Sequence, residues 1–289
     1  MVTPLPRGAF VTAPASVLAL VLAMTAVGGS VLLWFAPTWG KVRHGYEILA
    51  GSTVALLAWG AWGAFSAPVA TLEGTAAASD GQLARTLLLS LAIGTALATV
   101  ALAVKLPPLL GRVVGIASTL AGVASFVPLA AIRTDRGGAG GTLQGVLELG
   151  LGAFLMGAIW VGMILGHWYL VERRLSNRYM VWIAWANVAA IGAGLASVLL
   201  SGRNPAPCEG LAVGGAFEQC VLTFAPILRI GAMTIILGLG VLSLLALISG
   251  FNVRLAKEGG RSIQASTGMF YLAVILAPAV EFAAKVRFF

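Results

Sequence analysis

Long apolar runs separated by short polar breaks organise this chain. Eight stretches approach or exceed the roughly 20 apolar residues that a bilayer-spanning helix needs. They are Ala13–Phe35, Tyr46–Val69, Leu83–Val104, Leu109–Ile132, Leu143–Val171, Tyr179–Leu200, Val221–Ser249 and Ser266–Phe288. Such runs predict helices, because a helix satisfies its backbone polar groups within its own segment and so can cross hydrocarbon. The fifth and seventh are long enough to tilt, kink or extend past the membrane. The eighth carries Pro278, Glu281 and Lys285, which makes it the least regular. Lys105-Leu106-Pro107-Pro108 separates the third and fourth runs, since proline ends a helix. Arg133-Thr134-Asp135-Arg136-Gly137-Gly138 and the glycines after it predict a turn between the fourth and fifth. The expected fold class is therefore all-α: a polytopic integral membrane bundle of about eight transmembrane helices, with residues 1–289 as one membrane domain.

Spans one to four and five to eight share a hydropathy rhythm, so two four-helix halves are expected, at 1–135 and 142–289. The loop Trp39-Gly-Lys-Val-Arg43-His44-Gly-Tyr46 has a counterpart in His167-Trp168-Tyr169 through Arg173-Arg174 to Tyr179. Both are basic and aromatic, and each holds one of the two histidines. Parallel repeats about an axis along the membrane normal are a transporter plan. The same plan resembles the quinone-reactive membrane subunits of polysulfide-reductase type, at the level of architecture alone.

Composition agrees. Hydrophobic residues make up 59% of the chain and charged residues 10%, against about 25% charged in soluble domains, and mean hydropathy is +0.97. The 37 glycines suit helices that approach closely. The net charge of +8 would suggest nucleic acid in a soluble protein. Here the charges sit in short loops, where they act as topology signals, so the bilayer is the expected partner and nucleic acid is not. The first run continues to Phe35, too long for a signal-peptide core, and is read as the first span.

The face reached after odd-numbered spans holds ten bases (Lys41, Arg43, Lys105, Arg112, Arg173, Arg174, Arg178, Arg254, Lys257 and Arg261) against three acids. The other face holds eight bases against seven acids. Bases cluster on the cytoplasmic side of membrane proteins. The first face, called the basic face below, is thus expected to be cytoplasmic, with both termini outside a bacterial-type inner membrane. Cys208 and Cys220 share a loop on the outer side by this reading, where a disulfide would persist.

Two groups of residues could carry chemistry. His44 and His167 both fall at the basic face, among Trp34, Trp39, Tyr46, Trp168, Tyr169, Tyr179, Trp182 and Trp185. Two neutral imidazoles could hold one haem b, or one imidazole beside Trp168 and Tyr169 could hydrogen-bond a quinone. Aromatic belts also form at membrane interfaces regardless of function. The second group comprises Glu148, Arg229 and Glu281, at similar depth toward the opposite face. Ionisable groups in lipid are costly and tend to be paired or functional. An Arg229–Glu281 pair and a local Glu281–Lys285 pair are both expected, the latter from i,i+4 spacing. Asn187, in the sixth span, is expected to hydrogen-bond between helices. The Gly111–Gly115 spacing fits close helix packing.

The sequence lacks a phosphate-binding Gly-rich loop with Lys-Ser/Thr, a His-Glu-x-x-His motif, a Gly-x-Ser-x-Gly elbow and a Cys-x-x-Cys-His haem site. Two cysteines cannot alone hold an iron–sulfur cluster. The leading expectation is a membrane subunit of a redox complex, binding haem b or quinone at the cytoplasmic face and working with partner subunits. The alternatives are a small-solute transporter and a structural or assembly subunit.

Overall fold

In the computed structural model, residues 14–135, 138–172, 174–205, 218 and 231–288 are described. They form α1 (Pro14–Trp34), α2 (His44–Ala64), α3 (Ser66–Ala70), α4 (Ala78–Ala103), α5 (Pro108–Ala124), α6 (Phe126–Asp135), α7 (Gly141–Val171), α8 (Arg178–Ser201), α9 (Gly231–Glu258) and α10 (Ser262–Lys285). Grouped by span, α2 continues into α3 and α5 into α6, which gives eight helical segments long and apolar enough to cross a membrane. No strand occurs among the described residues. The chain is a multi-pass membrane protein, all-α as its apolar runs predict.

The two broken spans share a cause. Pro68 and Pro128 each stand three residues after the break, at Phe65 and Ser125. A proline cannot donate to the carbonyl four residues earlier, so the helix re-forms with a bend rather than continuing straight. The amide of Val69 bonds to Phe65 O at 3.1 Å and that of Leu129 to Ser125 O at 3.3 Å, restarting the ladder at each break.

Consecutive spans pack on one another within each set of four, and in both sets the fourth span returns to the first. The two sets meet mainly along α1 and α7. These are the two most enclosed spans, with 83% and 72% of their apolar windows buried. Both are apolar all round because protein, not lipid, covers nearly every side. Their approach depends on missing side chains. A Cβ built on Gly28 would lie 1.8 Å from Ala153 O, and one on Gly157 would lie 2.2 Å from the carbonyl carbon of Gly28. Without a hydrophobic force between helices in lipid, such close backbone contact is what holds them. The Gly111–Gly115 expectation is met in the same way: Gly115 lies under the Trp34 ring of α1 and Gly111 against α4.

Two boundaries differ from the apolar runs. The seventh span extends to Glu258, nine residues past Ser249. Its last turns are polar and reach the neighbouring helices: buried Asn252 accepts a hydrogen bond from Ser266 of α10 at 2.9 Å, and Lys257 lies over Trp185 of α8. The turn into α10 takes three residues, Gly259, Gly260 and Arg261, the two glycines at positive φ, which glycine adopts without strain. At the other correction, α6 continues through Arg133 to Asp135, where the sequence predicts a turn. Arg133 is fully buried and has partners inside the protein, so it extends the helix instead of ending it.

Candidate functional site

The seam between the two four-span sets holds an apolar cavity and, at each end, an ionic contact. The cavity has a volume of about 240 Å³. Leu18, Val21 and Thr25 of α1 and Leu57 of α2 line it from the first set, Met156 and Trp160 of α7 and Pro278 of α10 from the second. Its polar groups are already engaged: Thr25 donates to Val21 O at 2.7 Å, and Trp160 Nε1 donates to Thr53 Oγ1 at 3.2 Å across the seam.

One turn from this cavity toward the opposite face lies a cluster of fully buried charges. Glu148 of α7 and Glu281 and Lys285 of α10 are each 0–1% exposed. Lys285 Nζ sits 3.2 Å from Glu148 Oε1, 3.2 Å from Glu281 Oε2 and 2.9 Å from Ser197 Oγ of α8. The Ser197 hydroxyl is also 3.3 Å from Glu281 Oε2. Asn204 joins the sets: its Nδ2 donates to Glu148 Oε2 at 3.2 Å, while its Oδ1 accepts from Arg133 Nη2 of α6. Arg133 Nε is 3.9 Å from Glu148 Oε2, and the guanidinium also donates to Ala139 O and Gly141 O. Arg287 donates to the carbonyl of Asn204 and so anchors the C-terminal end of α10 to the same loop. Buried charges are tolerated when they are paired and hydrogen-bonded, and this cluster matches two carboxylates to Lys285 and Arg133. Two buried atoms of the cluster make no hydrogen bond, Arg133 Nε and Glu281 Oε1. Gly152 makes room for this carboxylate, since a Cβ there would lie 2.6 Å from Glu281 Oε2 and 3.0 Å from Met24 Sδ.

The basic-face end of the seam is built differently. Arg43 Nε, before α2, sits 3.0 Å from Glu172 Oε2, after α7, with side-chain exposures of 78% and 21%. Beside it the Trp168 ring packs so closely on Gly45 that a Cβ there would lie 2.3 Å from Cη2. The two histidine-bearing segments therefore meet at one face. The imidazoles themselves have separate partners. His44 Nδ1 is 2.9 Å from Glu47 Oε2, whose other oxygen accepts the Gly40 amide at 2.8 Å. His167 Nδ1 is 2.9 Å from the Tyr271 hydroxyl of α10. Tyr169 is held by Ser176 O and the Met180 amide.

Of the predicted intramembrane groups, the structure joins Glu148, Glu281 and Lys285, with the i,i+4 pair as expected. Arg229, Cys208 and Cys220 lie outside the described residues, so the Arg229–Glu281 pair and the disulfide do too. Asn187 is buried, but its Oδ1 makes no hydrogen bond. Arg133, Ser197 and Asn204 were not expected at the site. The available signal was Arg133 directly after an apolar run, beside glycines whose bare carbonyls can wrap a guanidinium. The chain matches no known protein family, no curated protein and no solved structure.

Proposed function

We propose that this chain is a small-solute transporter whose substrate site lies between its two four-helix halves, in the inner membrane with the basic face cytoplasmic. One observation carries the reading: the mid-depth cavity is lined from both halves, with an inter-half ionic contact at each end of the seam. Rocking of one bundle against the other around a central site is how many repeat-built transporters give alternating access. The α1–α7 contact of small residues serves as the fulcrum. The buried cluster is the thick gate and Arg43–Glu172 the thin one.

Paired spin labels on a chain with Cys208 and Cys220 replaced by serine test this. Labels at positions 41 and 174 report the basic face, and labels at 73 and 203 the opposite face. With Arg43→Ala, the 41–174 distance should lengthen while 73–203 stays short. With Asn204→Ala, the reverse should hold. Distances that never move, or that lengthen at both faces together, would sink the transport reading and leave a structural subunit.

A second reading has its own support. At the basic face, Trp34 Nε1 and Trp168 Nε1 are buried donors without acceptors. The Glu47 carboxylate favours the His44 tautomer protonated on Nδ1, leaving Nε2 free. The two indole N–H groups suit a quinone carbonyl, while His44 Nε2, unprotonated in that tautomer, can accept from a quinol hydroxyl. Haem b fits less well, because Trp168 fills the space between the helix ends where a macrocycle would lie. In this reading the chain is a redox subunit and needs partner subunits to exchange electrons. Quinone extracted with the purified protein and lost in His167→Ala would support it. An α-band in the dithionite-reduced spectrum would restore haem, and a flat spectrum with no quinone would remove both.

A further inference from the structure

At the basic face the second four-span set carries a cleft of about 570 Å³, within the roughly 300–1,000 Å³ of sites that hold small molecules. Two connections form it. The end of α7 and the residues after it supply Tyr169, Leu170, Leu175 and Asn177. The turn from α9 into α10 supplies Glu258, Arg261, Ile263 and Gln264, with Gly259 and Gly260 between Glu258 and Arg261. Asn177 ties the two together: its Nδ2 donates to Ala256 O at 3.3 Å, and a Cβ on Gly259 would lie 3.1 Å from the same atom. The packing of two helical hairpins therefore fixes the cleft at the ends of their spans.

Its walls divide by polarity. Leu170, Leu175 and Ile263 are apolar, and Leu170, 39% exposed, stands in the last turn of a bilayer-spanning helix. The polar side chains differ in whether they are already engaged. Tyr169 Oη lies on Ser176 O and the Met180 amide. Glu258 has both oxygens occupied, Oε1 by Arg254 Nε at 3.2 Å and Oε2 by the Ser262 hydroxyl at 2.9 Å. Lys257 and Arg178, on the adjoining turns, lie over the rings of Trp185 and Tyr179. The side chains of Arg261 and Gln264 make no hydrogen bond or ion pair among the described residues. Arg254 offsets Glu258, so the cleft has one cation to spare, beside an amide. A guanidinium presents a planar fork of donors that matches phosphate. Basic pockets between spanning helices at the cytoplasmic side suit anionic lipid headgroups. From this we infer that the cleft binds the headgroup of an anionic phospholipid, with Arg261 and Gln264 on its phosphate and its acyl chains leaving along Leu170 and Ile263. The bound lipid bridges the two hairpins and ties the stability of this end to lipid composition.

No residue of the cleft belongs to the cavity or the ionic contacts of the α1–α7 seam, so lipid binding and transport can each fail alone. Native mass spectrometry of the full chain in detergent measures the first saturable binding event. The probes are phosphatidylglycerol, phosphatidylcholine of the same chains, and glycerophosphoglycerol, the anionic headgroup without acyl chains. Phosphatidylglycerol should bind several-fold more tightly than phosphatidylcholine, whose choline cancels the phosphate charge. Arg261→Gln should weaken phosphatidylglycerol about tenfold, the scale of one hydrogen bond to a charged group. Arg261 is exposed, so this variant should keep the parent's unfolding midpoint in the absence of lipid. Arg203→Gln, which removes an exposed arginine at the opposite face, should leave binding unchanged. Equal binding of the two lipids, or indifference to Arg261→Gln, would overturn the inference. An equal loss in Arg203→Gln would mean that net charge rather than the cleft attracts the lipid, which also overturns it. Weaker binding in Glu258→Gln would assign the cleft to a cationic headgroup instead. Glycerophosphoglycerol binding as tightly as the lipid would overturn the lipid assignment in favour of a soluble phosphate ester.

Discussion

The two ends of the α1–α7 seam use the same chemistry, an arginine on one four-helix set and a glutamate on the other, under opposite conditions. Arg43 and Glu172 meet with most of the guanidinium in solvent, whereas Arg133 and Glu148 meet with both side chains at 0% exposure. The solvent-facing pair stands nearly alone. The buried one is part of a network that includes Lys285, Glu281, Ser197 and Asn204. Exposed ion pairs are worth about 0–1 kcal/mol, and removing one partner of a buried pair costs about 3–5 kcal/mol. The lesson is that hydration sets the asymmetry: separating the pair at one end costs about thermal energy, and at the other it would break a whole buried network.

The largest expected effect comes from breaking that network at its centre. Lys285→Ala leaves Glu148 and Glu281 facing each other without the ammonium that lies 3.2 Å from each. The expected loss is about 3–5 kcal/mol, read as a lower midpoint in denaturant titration of the protein in mixed micelles. The double variant Glu281→Gln with Lys285→Met removes one charge of each sign and leaves Arg133 to balance Glu148. It should recover most of that loss. A double variant as unstable as Lys285→Ala would mean that packing, not charge, holds this end.

Much of this contrast was legible in the sequence, and its limits are physical. The eight spans could be read because hydrocarbon admits few alternatives to a helix about 20 residues long. Glu148, Glu281 and Lys285 stood out because charge inside an apolar run is rare. Arg133 did not, because a base at the end of a run reads equally well as a loop residue. Only the fold of α6 against α7 brings its guanidinium to Asn204 and Glu148. The histidines were placed at the correct common face by counting spans, yet their ring partners Glu47 and Tyr271 depend on side-chain direction. Residue spacing gives Glu47 as a neighbour of His44 on one helix, and nothing local gives Tyr271 to His167, 104 residues away. The cavity was invisible for the same reason, since its walls come from four helices.

A middle-sized effect tests the fulcrum between the two ends. Gly28→Ala places a methyl group where Ala153 O already lies, 1.8 Å from the built Cβ, and both atoms belong to helix backbone or its first side-chain carbon. No rotamer relieves that clash, so α1 and α7 must separate. The expected cost is about 1–3 kcal/mol, the range for overpacking. It should appear as a lower thermal midpoint together with longer distances at both 41–174 and 73–203. Lengthening at both faces distinguishes a separated seam from a tilted one. Gly40, also a glycine but with open space around its Cβ position, offers the contrast. It lies at φ +64, so an alanine there meets backbone strain without any displacement of helices.

The smallest effect on stability is the most informative about motion. Arg43→Ala removes a pair that is largely hydrated, so the unfolding midpoint should shift by less than about 1 kcal/mol, and less still at high salt. A two-state equilibrium nevertheless responds to such sums: about 0.5 kcal/mol changes a population ratio roughly twofold. The 41–174 distance distribution should therefore gain weight at long separation in Arg43→Ala, and adding salt to the parent chain should move it in the same direction. Glu172→Gln should reproduce both changes, because it removes the same Coulombic attraction from the other side. If salt and both substitutions leave the distribution fixed, the link is decorative. The basic-face end is then held by the packing of Trp168 on Gly45, and it differs from the opposite end in its material rather than in its freedom to open.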